Sequence, residues 1–291
     1  MIQPTLGYNR FAMKVTVFGA TGFLGKSMMR EWHVDQVEPL SSKDADLRVE
    51  SQVQDTVART RPDWIVLAAS YTDVDGCESN KDLAFDINCR GAANVARVAK
   101  QYKSNLLFLS TDYVFDGNKT SPYEINDPHA PQNVYGASKS EAEVEILKIL
   151  PQACIVRTSW MFGVGGKCFP EAILKLASTK PEIDVVTDQR GCPTYTVDLS
   201  RAVIDLCRKN AQGIVHVTNT SDCTWFDFAQ EIVRKAGLST KINPTTNDQF
   251  LRPAKRPKYS VLSGASLKQY QITMPSWQYA LQRYLTERKT M

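Results

Sequence analysis

The chain has 291 residues, 43% of them hydrophobic, enough to bury a large core as one domain or two. Its net charge of +4 is mild, no Lys/Arg stripe marks a nucleic-acid footprint, and no apolar run reaches the ~20 residues of a membrane helix. Seven cysteines with no Cys-x-x-Cys spacing predict reduced thiols in a cytoplasmic protein, and three histidines outside any ligand spacing predict no metal site.

In chain order, residues 1–12 (MIQPTLGYNRFA) lack the charged start and apolar core of a signal peptide and are expected to form an extension ahead of the fold. KVTVFGA (14–20) predicts a strand that runs into a helix near Gly22. QVEPL (36–40) is a short extended stretch, followed by the helical pattern VESQVQDTVARTR. WIVLAAS (64–70) and NLLFLST (105–111) predict buried strands on either side of a long helix over DLAFDINCRGAANVARVAKQY. A Pro-rich loop (122–132) ends at NVYGASKSEAE (133–143), a helix start, and CIVRTSW (154–160) predicts another strand. Continuous apolar strands alternating with helices predict a parallel sheet covered on both faces, a doubly wound α/β fold over residues 13–160. Beyond that, DQRGCPTYT reads as turn chemistry, GIVHVTN as a late strand, TWFDFAQEIVRKAG as an amphipathic helix and RPAKRPKYS as a basic loop. These predict a smaller, partly interleaved lobe over 161–291.

Three constellations carry chemistry. In GATGFLG, Gly19, Gly22 and Gly25 follow the first strand and open the first helix, where a glycine loop lets a dinucleotide's pyrophosphate approach the backbone. At the end of the second strand, where an acid would favour NAD, stand Ser41, Ser42 and Lys43, which would instead accept a 2′-phosphate. Asp46 and Leu47 follow and are placed to meet the adenine. The third set combines Ser110, Thr111 and Asp112 at a strand's carboxyl end with Tyr135 and Lys139, four residues apart on one helical face. Tyr135 would give its proton to the oxygen of a reduced carbonyl, with Lys139 favouring the phenolate and holding the nicotinamide ribose, and Thr111 binding the reacting oxygen.

With these motifs the sequence resembles the extended short-chain dehydrogenase/reductase superfamily, and within it the dTDP-4-dehydrorhamnose reductases. The resemblance runs from Met13 to the C-terminus through GATGFLG, LAASYTDVDGCES, STDYVFDG, VYGASK, RTSWMFG, DQRGCPT and RPAKRP. It implies a Rossmann-type sheet with a C-terminal substrate-binding lobe, and reduction of the 4-keto group of a dTDP-sugar with NADPH, NADH being possible. Thr111, Tyr135 and Lys139 match the family's catalytic triad. Thr21, Phe23 and Leu24 join the glycines of the pyrophosphate loop, and Ala68, Ala69 and Thr72 match the wall beside the cofactor. Val74, Asp112, Tyr113 and Trp160 match positions facing the sugar nucleotide, and Arg256 lies in a loop that shapes the substrate lobe. The resemblance implies a monomer or homodimer with no nucleic-acid or membrane partner. Some members dimerise through magnesium held by glutamates; Ser27 and Val197 occupy those places, so no metal is expected. A 4,6-dehydratase would need Asp-Glu after the threonine, whereas Thr111 is followed by Asp112 and Tyr113.

Overall fold

The computed structural model describes residues 12–290, so the expected extension lies, apart from its last residue, outside the described residues. Strands β1 (Lys14–Phe18), β3 (Trp64–Leu67), β4 (Asn105–Thr111) and β5 (Cys154–Thr158) are apolar along nearly their whole length because both of their faces are covered. With β2 (Gln36–Leu40) and the Gly213–His216 strand they form one parallel sheet. Its order is Gly213–His216, β5, β4, β3, β1, β2. Pro39, which has no amide hydrogen to give a ladder, is tolerated because β2 is an edge.

Side chains alternate across the sheet, so one strand feeds two cores. Val15, Val17, Val66 and Val156 pack with Leu24 and Met28 of helix α1 (Phe23–Glu31) and with Leu199, Val203 and Leu206 of the Thr196–Arg208 helix. Phe18, Ile65, Leu67 and Ile155 face the other way, onto helix α2 (Glu50–Thr60), the Ala92–Tyr102 helix and the Val134–Ile149 helix. The long helix expected over 82–102 is Lys81–Phe85 joined to Ala92–Tyr102 through a π-helical turn at Asp86–Gly91.

A third core belongs to the later half. Phe162, Ile173, Ile183, Phe228 and Tyr284 pack under the Phe169–Ala177, Trp225–Ala236 and Trp277–Lys289 helices. Thr224 and Asp227 form a reciprocal capping box at one of these helix starts, and Gly237 ends that helix in the left-handed region. The Glu182–Val186 and Lys241–Thr245 strands form a separate parallel pair. DQRGCPTYT holds two two-residue strands, Arg190–Gly191 and Thr194–Tyr195. All seven cysteines are free thiols, and among the described residues no helix is long and apolar enough to cross a membrane.

Candidate active site

The glycine loop sits at the carboxyl end of β1, at the switch point where β2 and β3 leave to opposite sides. Gly19 has φ +90, and a Cβ there would lie 2.5 Å from the Ala69 amide nitrogen, so the loop can pass this close to the end of β3 only as glycine. The loop opens onto a cleft of about 820 Å³. Gly19, Thr21, Gly22, Phe23 and Leu24 form one wall and Ala68, Ala69 and Thr72 another, with Ser41, Ser42, Asp46 and Leu47 at one end and Tyr135 and Lys139 at the other. Gly25 is not on the wall; it is buried within α1. The start of α1 has no side-chain cap, which leaves its first amides to an incoming anion. The long cleft, the close glycine approach and the uncapped helix end fit a dinucleotide.

Ser41 and Lys43 are not placed as the sequence suggested. The Ser41 hydroxyl donates to Asp44 Oδ2 (2.6 Å), as does its amide (2.7 Å), so the position that reads as acid-free has a carboxylate beside it. Lys43 is off the cleft wall, whereas Arg48 is on it, ion-paired with Asp46 (2.6 Å). Asp46 and Leu47 lie in a turn ahead of α2, held by a bond from the Asp46 amide to Gln52 Oε1 (2.8 Å).

Asn133 caps the Val134–Ile149 helix by accepting from the Gly136 amide (2.8 Å). A Cβ on Gly136 would lie 2.2 Å from the Tyr113 carbonyl, so this glycine lets the helix press against the chain leaving β4. The contact brings Tyr135 beside Thr111, whose hydroxyl donates to Asp112 Oδ1 (3.1 Å). Burial first, and then the Asp112 charge, push the Tyr135 pKa up, and the neighbouring Thr111 hydroxyl opposes them only in part. The Lys139 ammonium donates to the Leu109 carbonyl (2.6 Å) and lies 3.8 Å from the centre of the Phe108 ring, because a buried cation takes the acceptors packed against it. Burial draws the Lys139 pKa down to about 7, opposed by Glu143. Asp112 is also buried, and this pushes its carboxyl up to about 7 against bonds from Ser260 and Thr111.

Of the positions expected to face the sugar nucleotide, Tyr113 and Arg256 line a second cavity of about 390 Å³ with Phe169, Gln189, Trp225 and Phe250. Trp160 is not on its wall. Held at φ +45, it stacks on Trp225 with ring centres 3.4 Å apart, and Trp225 Nε1 donates to Gln189 Oε1 (3.1 Å). Val74 begins the Val74–Ser79 helix and lines neither space. Ser27 on α1 is 1% exposed, and Val197, at the start of the Thr196–Arg208 helix, is 7% exposed and packs into the third core.

Sequence reasoning missed Asn88. It lies in the π-helical turn, accepts from Ser70 Oγ (2.8 Å) and the Tyr71 amide (2.7 Å), and donates to Ser138 Oγ (3.0 Å). It thus ties the wall after β3 to the helix carrying Tyr135 and Lys139. The available signal was an asparagine within an apolar helical run, buried to 1% exposure.

Comparison with known proteins agrees with this geometry. The family model described as RmlD substrate binding domain matches residues 13–290. The spore coat polysaccharide biosynthesis protein SpsK of Bacillus subtilis is 39% identical over 95% of this chain and 98% of its own. A dTDP-4-dehydrorhamnose reductase of Burkholderia thailandensis is 35% identical over 92% of this chain and 97% of its own. The crystal structure of dTDP-4-dehydrorhamnose reductase from Bacillus anthracis in complex with NADP superposes with a TM-score of 0.92, at 37% identity, over 95% of this chain and all of that one. With a match over nearly its whole length, this chain belongs to the RmlD substrate binding domain family.

Proposed function

We propose that the protein reduces the 4-keto group of dTDP-4-dehydro-L-rhamnose to dTDP-L-rhamnose, with NADPH as the preferred cofactor and Tyr135 as proton donor. The observation that carries this is Tyr135 and Lys139 on the wall of the same cleft as the glycine loop, in a chain whose relatives are named as such reductases. The reduced nicotinamide supplies hydride when bound. Gly19, Gly22 and the first amides of α1 hold the pyrophosphate, and Lys139 holds the nicotinamide ribose. Tyr135 keeps its proton at neutral pH because burial raises its pKa, so it is ready as an acid when a carbonyl carbon gains hydride. Thr111 orients the phenol and the reacting oxygen. Tyr113 and Arg256 belong to the cavity that takes the nucleotide-diphosphate part. Seven unpaired cysteines suit a cytoplasmic setting.

A coupled assay tests the reading. dTDP-4-keto-6-deoxyglucose and a 3,5-epimerase are supplied, NADPH loss is followed, and the product is identified by NMR. Consumption of NADPH with a dTDP-L-rhamnose signal is expected. Reduction only of the unepimerised sugar would reassign the substrate, and no turnover with either would overturn the catalytic reading in favour of a regulatory subunit of the same fold.

A further inference from the structure

Behind the cleft lies a buried polar cluster that proton donation by Tyr135 does not use. Glu143 is one helical turn beyond Lys139, its side chain 1% exposed, and it faces Arg157 of β5, 0% exposed. Arg157 Nε is 3.0 Å from both carboxylate oxygens and Nη2 is 2.7 Å from Oε2. Ser110, the neighbour of Thr111, donates its hydroxyl to Glu143 Oε1. The other guanidinium hydrogens reach the Ile125 carbonyl (3.1 Å), His216 Nε2 (3.4 Å) and His129 Nε2 (2.5 Å). A guanidinium only donates, so His216, held neutral by burial and by the Arg157 charge, accepts at Nε2; His129 Nε2 also lies 3.4 Å from Glu143 Oε2, and its Nδ1 is 2.8 Å from Ser140 Oγ.

Such a pair is a weak source of stability, because desolvating two charges offsets their attraction. Its neighbours indicate another use. We propose that Glu143 is a positioning residue for the reduction: it keeps Lys139 cationic and fixes the Ser110–Thr111 strand end, while Arg157 orients Glu143 and neutralises it on its other side. The proposal rests on the reading of Tyr135 and Lys139 as reductase machinery. The titratable groups on the elements packed around Lys139 include Tyr135, Glu141, Glu143 and Glu145 on its own helix, Asp75, Cys77 and Glu78 on the Val74–Ser79 helix, Lys81 and Asp82 on the Lys81–Phe85 helix, Asp86, Cys89 and Arg90 in the π-helical turn, Asp112 and Tyr113 after β4, His129 in the loop before it, and Arg157 on β5. Of these, Glu143 carries the charge that acts on the ammonium. An anion there favours the charged form, so removing it lets Lys139 lose its proton at lower pH.

The test is the pH profile of the NADPH dissociation constant, read by fluorescence beside the melting temperature. Lys139→Ala should weaken binding and abolish the alkaline limb. Glu143→Gln should move that limb down by about 1 pH unit and lower the melting temperature, since Arg157 is left unpaired. The neutral pair Glu143→Gln with Arg157→Gln should recover the melting temperature and keep the displaced limb; Glu143→Met with Arg157→Leu is a second neutral pair should the first fail to fold. Glu143→Asp should restore the wild-type limb. A wild-type limb in a folded neutral pair makes Glu143 a purely structural residue and overturns the proposal. No NADPH binding by the wild type, or a Lys139→Ala profile like wild type, would instead sink the reductase reading on which it rests.

Discussion

Tyr135 is the residue whose role the structure sharpens most. Its phenol is held protonated by burial, so under the proposed mechanism removing the hydroxyl removes the proton donor. Tyr135→Phe should keep NADPH affinity and lose at least ~10²-fold in turnover; near-normal turnover would exclude the mechanism. Asp112 gives a second residue-scale prediction through stability. Burial raises its pKa to about 7, above the ordinary carboxylate value, so across the interval between them the folded chain holds a proton that the unfolded chain has lost. Stability therefore falls as pH rises from about 4 to about 7 and is flat beyond. Asp112→Asn escapes that loss: measured by urea unfolding, the variant should gain on wild type by about 2 kcal/mol between pH 5 and pH 8. An equal difference at both pH values would show that Asp112 is not held protonated. At this scale the sequence displayed the Tyr135–Lys139 pair, because helical spacing puts i and i+4 on one face. It could not display Asn88 bonding Ser138 or Arg157 gripping Glu143, since those partners meet only through the sheet.

Elements of the first half were legible for a plain reason: strands covered on both faces need unbroken apolar runs, and β4 falls on the expected residues; the edge strand β2 also falls where expected. In the later half the Gly213–His216 strand and the Trp225–Ala236 helix fall where expected, but the shorter elements are hidden. The two-residue strands Arg190–Gly191 and Thr194–Tyr195 are too short for any period, and Glu182–Val186 alternates buried and exposed positions over only five residues. The helical run over 82–102 was visible, but not its π-helical turn, which depends on Asn88 finding partners far along the chain. In the turn after β2 residue type did not display the local pairing: Ser41 is bound to Asp44, and Arg48 rather than Lys43 lines the cleft at this end. The Asp46 pair engages Nε and Nη2 of Arg48, and its Nη1 edge has no part in that pair. One charge-assisted bond to a phosphate, about 1.5–3 kcal/mol, gives roughly a tenfold preference or more. Arg48→Ala should therefore weaken binding of adenosine 2′,5′-bisphosphate by about tenfold in calorimetry and leave ADP unchanged. An equal loss for both ligands would mean that Arg48 supports the turn without reading the 2′-phosphate.

On the scale of the whole molecule, the loop around Arg256 is fastened to two helices of the first half at points flanking that arginine. Asp75, on the Val74–Ser79 helix, accepts from Arg256 Nη1 (2.9 Å) and from the Ala254 amide (3.2 Å), with Arg252 Nη1 at 3.7 Å. Asn133, the cap of the Val134–Ile149 helix, donates to the Lys255 carbonyl (2.8 Å). Arg256 is thereby held with its side chain only 12% exposed, on the wall of the second cavity beside Tyr113. A partly exposed ion pair of this kind is worth ~0–1 kcal/mol to the fold, so breaking it should hardly move the melting temperature. Aim is a different matter, because a guanidinium that must be reoriented before it meets an anion gives up much of a charge-assisted bond, on the order of 1.5 kcal/mol or tenfold. Asp75→Asn should thus raise KM for the sugar nucleotide by about tenfold, with turnover at saturation and NADPH affinity near wild type. Arg256→Lys, which keeps the charge and loses the planar fork, should do the same. Steady-state kinetics with NADPH titrations on both variants decide the matter: an unchanged KM leaves Asp75 as surface pairing, and a parallel loss of NADPH affinity would mean that the contact holds the lobes together rather than aiming Arg256.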